Sequence, residues 1–264
     1  MATRATVATK EYLKSVSLPE QTDSYTTISH GFIIDNTLAR LAEKNFEIKS
    51  EVYRTNKQGD VAQGVYHLNY GNDPEMGMMF AWSNSYDKSM RFKCAIGGYV
   101  FACMNGVISG DMGSWARRHS GTADTETLEM ITSQIENANF YYDQLVKDKS
   151  VMKNIIMTKR QQAELIGRVY FEYNMITSEQ LSVVKAESKR PSFDYNTDKD
   201  SMWQLYNNIT LSLQRSHPRT WMDQQRMVHW LVNKEYLPKP VAQEPTNQID
   251  LIDMIKDVES EQLN

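Results

Sequence analysis

The stretch VAQGVYHLNYGNDPEMGMMFAWSNS, residues 61–85, decides how the chain folds. Val61 to Tyr70 and Met76 to Ser85 are rich in the branched and aromatic residues that suit a pleated strand. Gly71-Asn72-Asp73-Pro74 between them is turn chemistry. The pattern extends both ways. Phe46, Ile48 and the Val52-Tyr53 pair form a strand before the turn Asn56-Lys57-Gln58-Gly59-Asp60, and Ser89 to Cys94 read as a fourth strand. Consecutive strands joined by short turns make an antiparallel meander.

Outward from the meander the period becomes helical. Ser29 caps a helix reaching Lys44, with Ile34, Leu38 and Leu41 toward the core. Residues 1–27, rich in Ser and Thr with Pro19, read as a flexible arm. Beyond the meander, Leu128, Ile131, Ile135, Ala138, Tyr142, Leu145, Lys149, Met152 and Ile156 alternate spacings of three and four, an apolar seam interrupted by Lys149. Asp124 is suited to cap its start. The seam fits either packing on the sheet or self-association into a homo-oligomer. Thr158 with Gln161, and Thr177 with Gln180, form capping boxes for two further helices. Helices follow around Ser201–Leu213 and Pro218–Glu235, Pro218 suiting a first-turn position. The expected fold is therefore α+β: an N-terminal antiparallel β-meander packed on helices, and a C-terminal helical part. One domain, residues 28–243 (sheet-rich over 28–121, helical over 122–243), lies between the arm and an acidic tail, residues 244–264.

Several functional classes drop out. No apolar run is long enough to span a membrane, and no secretory signal opens the chain, so a cytoplasmic protein is expected. Cys94 and Cys103 are too few for a disulfide framework. Phosphate-loop, dinucleotide and zinc-protease motifs are absent, and the five histidines show no ligand spacing, so neither metal nor cofactor is expected. The formal net charge of -4 is unevenly spread. Residues 244–264 hold six acids and one Lys, a charge of -5, which leaves +1 on residues 1–243. Their Leu251, Ile255 and Val258 share a helical face, which reads as a partner-docking motif, a competitor of nucleic acid, or a solubilising tail.

The stretch from Gly97 to Gly121 holds six of the 12 glycines. Residues 88–119 set Lys88, Arg91, Lys93, Arg117 and Arg118 against Asp111, a local charge of +4. Trp82, Tyr86, Phe92, Tyr99, Phe101, Trp115 and His119 lie among or just before them. Cations hold phosphates and aromatic faces stack on unpaired bases, so this reads either as a single-stranded nucleic-acid groove or as an ordinary sheet with solvated cations. In the first reading Arg54, Lys57, Arg91, Lys93, Arg117 and Arg118 hold phosphates, Tyr53, Tyr66 and Trp115 stack bases, and His119 meets a phosphate. Asn105-Gly106 is a turn pair.

Four segments together resemble a known family: Ser83-Asn84-Ser85-Tyr86-Asp87 with Arg91, then Gly98-Tyr99-Val100-Phe101-Ala102-Cys103-Met104-Asn105-Gly106, then Arg118-His119-Ser120-Gly121, then Met202-Trp203-Gln204-Leu205-Tyr206-Asn207-Asn208-Ile209-Thr210. The chain is similar over about residues 30–230 to the phage- and plasmid-borne family called domain of unknown function 932. It departs at Tyr86, Ser120 and Asn208, where the family has His, Thr and Ala. The resemblance implies a role in mobile-element DNA metabolism, in a host cytoplasm, and marks Asn84, Arg91, Asn105, Gly106, Arg118 and His119. The order of elements is also similar to single-strand annealing proteins of phage recombination, by topology alone. The expectation is a binder of single-stranded nucleic acid without catalysis. The alternative is a protein-interaction or inhibitor module acting on a host factor.

Overall fold

The computed structural model describes residues 5–20, 27–109, 116–117 and 123–237. The strands β1 (Thr6–Ala8), β2 (Ile48–Thr55), β3 (Val61–Leu68), β4 (Met76–Ser85), β5 (Phe92–Val100) and β6 (Gly106–Val107) lie side by side in that order. A further strand, β7 (Ala116–Arg117), pairs with β5, and every pairing is antiparallel. The meander is thus as expected, and β4 has the bounds read from the sequence. Two departures occur. Part of the expected arm takes regular structure: β1 pairs with β2, and α1 (Lys10–Ser15) buries Leu13. The fourth strand runs past Cys94 to Val100, so Gly97 and Gly98 lie inside it rather than in a loop.

Gly97 is needed there for space. A Cβ at Gly97 would stand 2.5 Å from the carbonyl oxygen of Val107 and 2.8 Å from Met79. Between its pairings with β7 and β6, β5 has an edge gap, and Gln134 Oε1 accepts from Ile96 N there at 3.1 Å.

The helices cover the sheet. In α2 (His30–Glu43), Ser29 Oγ accepts from Phe32 N at 2.9 Å, the expected cap. The long seam is divided into α3 (Ala123–Glu136) and α4 (Ala138–Asn154) at Asn137. Asp124 falls within the first turn of α3 rather than capping it. Both helices pack on β5, burying Ile131, Ile135, Ala138, Tyr142, Leu145 and Met152 inside this chain's own core. Lys149, the polar break in the seam, is also buried, with Nζ 2.6 Å from Asp73 and 3.0 Å from Glu75. Both capping boxes form, on α5 (Lys159–Gly167) and α6 (Ser178–Lys189). A π-helical turn, Arg168–Glu172, continues α5. Ser201 caps α7 (Met202–Leu213), whereas α8 (Trp221–Tyr236) begins beyond Pro218. Buried contacts brace α4, α7 and α8: His229 donates to Asp148 at 3.0 Å and accepts from Tyr206 at 3.2 Å. Among the described residues no helix is long and apolar enough to cross a membrane.

Candidate nucleic-acid interface

Strand register brings two of the expected phosphate ligands into one row. Arg54 faces Gln63, Gln63 faces Ser83, and Ser83 faces Lys93, across four adjacent strands. Directly opposed residues share a face of the sheet, so the row is a polar stripe across it. The stripe is covered by the chain itself. The segment joining α7 to α8, with the first turn of α8, lies over it: Arg54 Nη1 donates to the Gln214 carbonyl at 2.5 Å, and Ser83 Oγ donates to the Pro218 carbonyl at 3.1 Å. Lys93 Nζ donates to Asp223 Oδ2 at 2.7 Å, with 4% of its side chain exposed. Arg54 also donates to Gln63 Oε1 and lies 5.5 Å over the Trp221 ring.

The expectation that Arg54 and Lys93 hold phosphates is corrected here. Both cations are satisfied by internal partners, and moving them to a phosphate would leave Asp223 and the Gln214 carbonyl without theirs. The expected stackers Tyr53 and Tyr66 are likewise corrected. Both are buried on the opposite face, where Tyr53 Oη donates to Glu51 at 2.6 Å and Trp82 Nε1 donates to Tyr66 Oη at 3.2 Å.

Lys57 is exposed on the β2–β3 turn. Arg91 is half-buried, with an interaction of its own within the fold. The β5–β7 pair sets Arg117 opposite Phe92, so the backbone of Arg117 pairs with the residue that follows Arg91. Trp115, Arg118 and His119 lie outside the described residues, as does the 244–264 tail.

The family-motif residues have structural posts. Asn84 is fully buried, and its Nδ2 donates to the Ile28 carbonyl at 2.9 Å and to His30 Nδ1 at 3.1 Å. His30 Nε2 donates to the Gly59 carbonyl at 3.1 Å, and the ring stacks on Tyr86 at 4.0 Å. The strand end thus fixes the entry to α2. Asn105, also buried, donates to the Asn207 carbonyl at 3.2 Å, joining the β5–β6 hairpin to the motif on α7. Asn105-Gly106 is not the left-handed turn pair: Met104 takes that role, with φ 58°. Gly106 instead leaves room for the Trp221 ring, 2.6 Å from where a Cβ would stand.

Sequence reading missed Gln214, Trp221 and Asp223 as cover for the stripe, and His30 as the partner of Asn84. It also passed over Lys49, Ser50 and His67, which meet at a bulge in β2. Among the described residues no group of His, Cys, Asp or Glu is arranged to hold a metal ion.

These observations define an α+β protein whose sheet carries one polar row buried under its own C-terminal helices. The chain belongs to the family described as Domain of unknown function (DUF932), whose model matches residues 42–237. No curated protein and no solved structure matches it.

Proposed function

We propose that the chain binds single-stranded nucleic acid without catalysis, at the end of the sheet where β7 meets β5. The observation that carries this reading is the pairing of Arg117 with Phe92, one residue from Arg91. In sequence, Arg117 is followed directly by Arg118 and His119, and Trp115 stands two residues before it. Arginines contact phosphates and an aromatic ring stacks a base. Pairing of Lys93 with Asp223 removes one cation, and Lys88, Arg91, Arg117 and Arg118 still outnumber Asp111. A setting in the DNA metabolism of a phage or plasmid accords with the family resemblance.

The test is fluorescence anisotropy with a labelled oligonucleotide at low salt. Micromolar binding is expected. Arg117→Gln with Arg118→Gln should weaken it and reduce the salt slope by about 1.4, at about 0.7 per phosphate contact on a single strand. No binding at micromolar protein, with or without residues 244–264, overturns the reading.

A second reading, a protein-interaction module acting on a host factor, is favoured by Phe171, which sits on the π-helical turn with 83% of its surface exposed. Turns of this kind often mark functional sites. Host-lysate capture that depends on Phe171 and not on added oligonucleotide supports it.

A further inference from the structure

A separate cluster forms where β2 and β3 fall out of step. Ile48 opposes Leu68 and Ser50 opposes His67, which makes Lys49 an extra residue on β2. A bulge re-aims side chains locally, so neighbours that would point to opposite faces can serve one site. Ser50 Oγ lies 2.8 Å from His67 Nδ1. The His67 ring is 4.3 Å from that of Tyr99, which is 5.4 Å from that of Phe101. Lys49 Nζ closes the circuit, 5.5 Å from the Phe101 centroid. Lys49, Ser50 and Phe101 are exposed, and His67 and Tyr99 form a buried floor.

We propose that Lys49, Ser50 and His67 form an anion site for a phosphate group, with the Phe101 ring at its rim for a flat group attached to that phosphate. Lys49 supplies the charge and Ser50 a hydroxyl donor, the pairing that phosphate oxygens accept. His67 makes the site responsive to pH. Burial first, and the Lys49 charge second, hold its imidazole down to about 4. It is therefore neutral near pH 7, with Nδ1 able to accept the Ser50 proton. The groups facing it are Lys49 and Ser50 on β2 and Tyr99 on β5, and Lys49 is the charge that acts on it. A bound anion offsets that charge. His67 then takes up a proton from solvent at a higher pH than in the free protein, and once protonated its Nδ1–H donates to Ser50 Oγ while the Ser50 hydroxyl donates to the anion. Proton and anion binding reinforce each other by linkage.

Nuclear magnetic resonance titration of the His67 ring in the full chain tests this, with inorganic phosphate in one arm and a short oligothymidylate in the other. The expected result is a rise in the His67 pKa with millimolar phosphate. Lys49→Gln should raise the pKa of the free protein and abolish the dependence on phosphate. Ser50→Ala should weaken phosphate binding about tenfold, the scale of one charge-assisted hydrogen bond. A response to oligothymidylate at lower concentration than to phosphate assigns the site to a nucleic-acid strand; a response to phosphate alone assigns it to a free phosphate or phosphomonoester. An unchanged His67 pKa in both arms, or a response retained in full by Lys49→Gln, overturns the proposal. Arg117→Gln with Arg118→Gln should leave this titration unaltered, which keeps it separate from binding at β7.

Discussion

Lys93 illustrates what a lysine in a basic stretch becomes once strands are in register. Its neighbours in sequence are cations and aromatics, and its neighbour in space is Asp223, 130 residues away. No local pattern announces a pair of that separation, so the sequence reading placed it with the phosphate ligands. Arg54 is similar, since its carbonyl partner on Gln214 is 160 residues distant. Residues whose role is set locally were legible: Ser29, Thr158 and Thr177 cap the helices they precede. The buried pair also fixes the sign of a test. Lys93→Met leaves Asp223 facing an apolar neighbour with little water, and should cost about 3 kcal/mol in urea unfolding. Lys93→Met with Asp223→Leu should recover most of that loss. If the single variant were no less stable than the parent, the ion pair would not be holding the α8 terminus to the sheet.

At the scale of elements, strands and helices whose apolar period agrees with their packing were read correctly, and errors fall where a third partner intervenes. The seam keeps its phase across Asn137 because α3 and α4 both bury that side as far as Met152, so periodicity could not show the break; Ile156, its expected last member, lies beyond α4 and is exposed. Strand β5 was cut short at its glycines, which lower strand propensity. Their reason lies outside β5: Met76 and Met79 on β4 and the Val107 carbonyl on β6 crowd the sites where side chains would begin. Gly97→Ala should accordingly destabilise the protein by about 2 kcal/mol, the usual scale of overpacking. Val107 backbone cannot withdraw without breaking the β5–β6 pair, so faster amide exchange at Val107 and Tyr99 should accompany the loss. Amides protected as in the parent would show that the hairpin yields without strain.

At the scale of the whole molecule the net charge of -4 conceals a division: residues 1–243 carry +1 and the last 21 residues carry -5. If the body binds a polyanion, the tail opposes it. Deleting residues 244–264 should strengthen oligonucleotide binding several-fold at low salt, with the gain disappearing toward about 1 M salt, where charges are screened beyond about 3 Å. An equal gain at both salt concentrations would mean that the tail acts by blocking contact rather than through charge. The polar row of the sheet adds a condition on any such measurement. Arg54 is held by the Gln214 carbonyl and the Trp221 ring, Ser83 by the Pro218 carbonyl and Lys93 by Asp223, all from parts of the chain that follow the sheet, so the sheet lacks its cover until the last helices dock. A fragment ending before Gln214 would present both cations to solvent on an uncovered face. Affinity for DNA or RNA measured on such a fragment would describe an unfinished surface, and only the intact chain distinguishes a binding groove from an exposed interior.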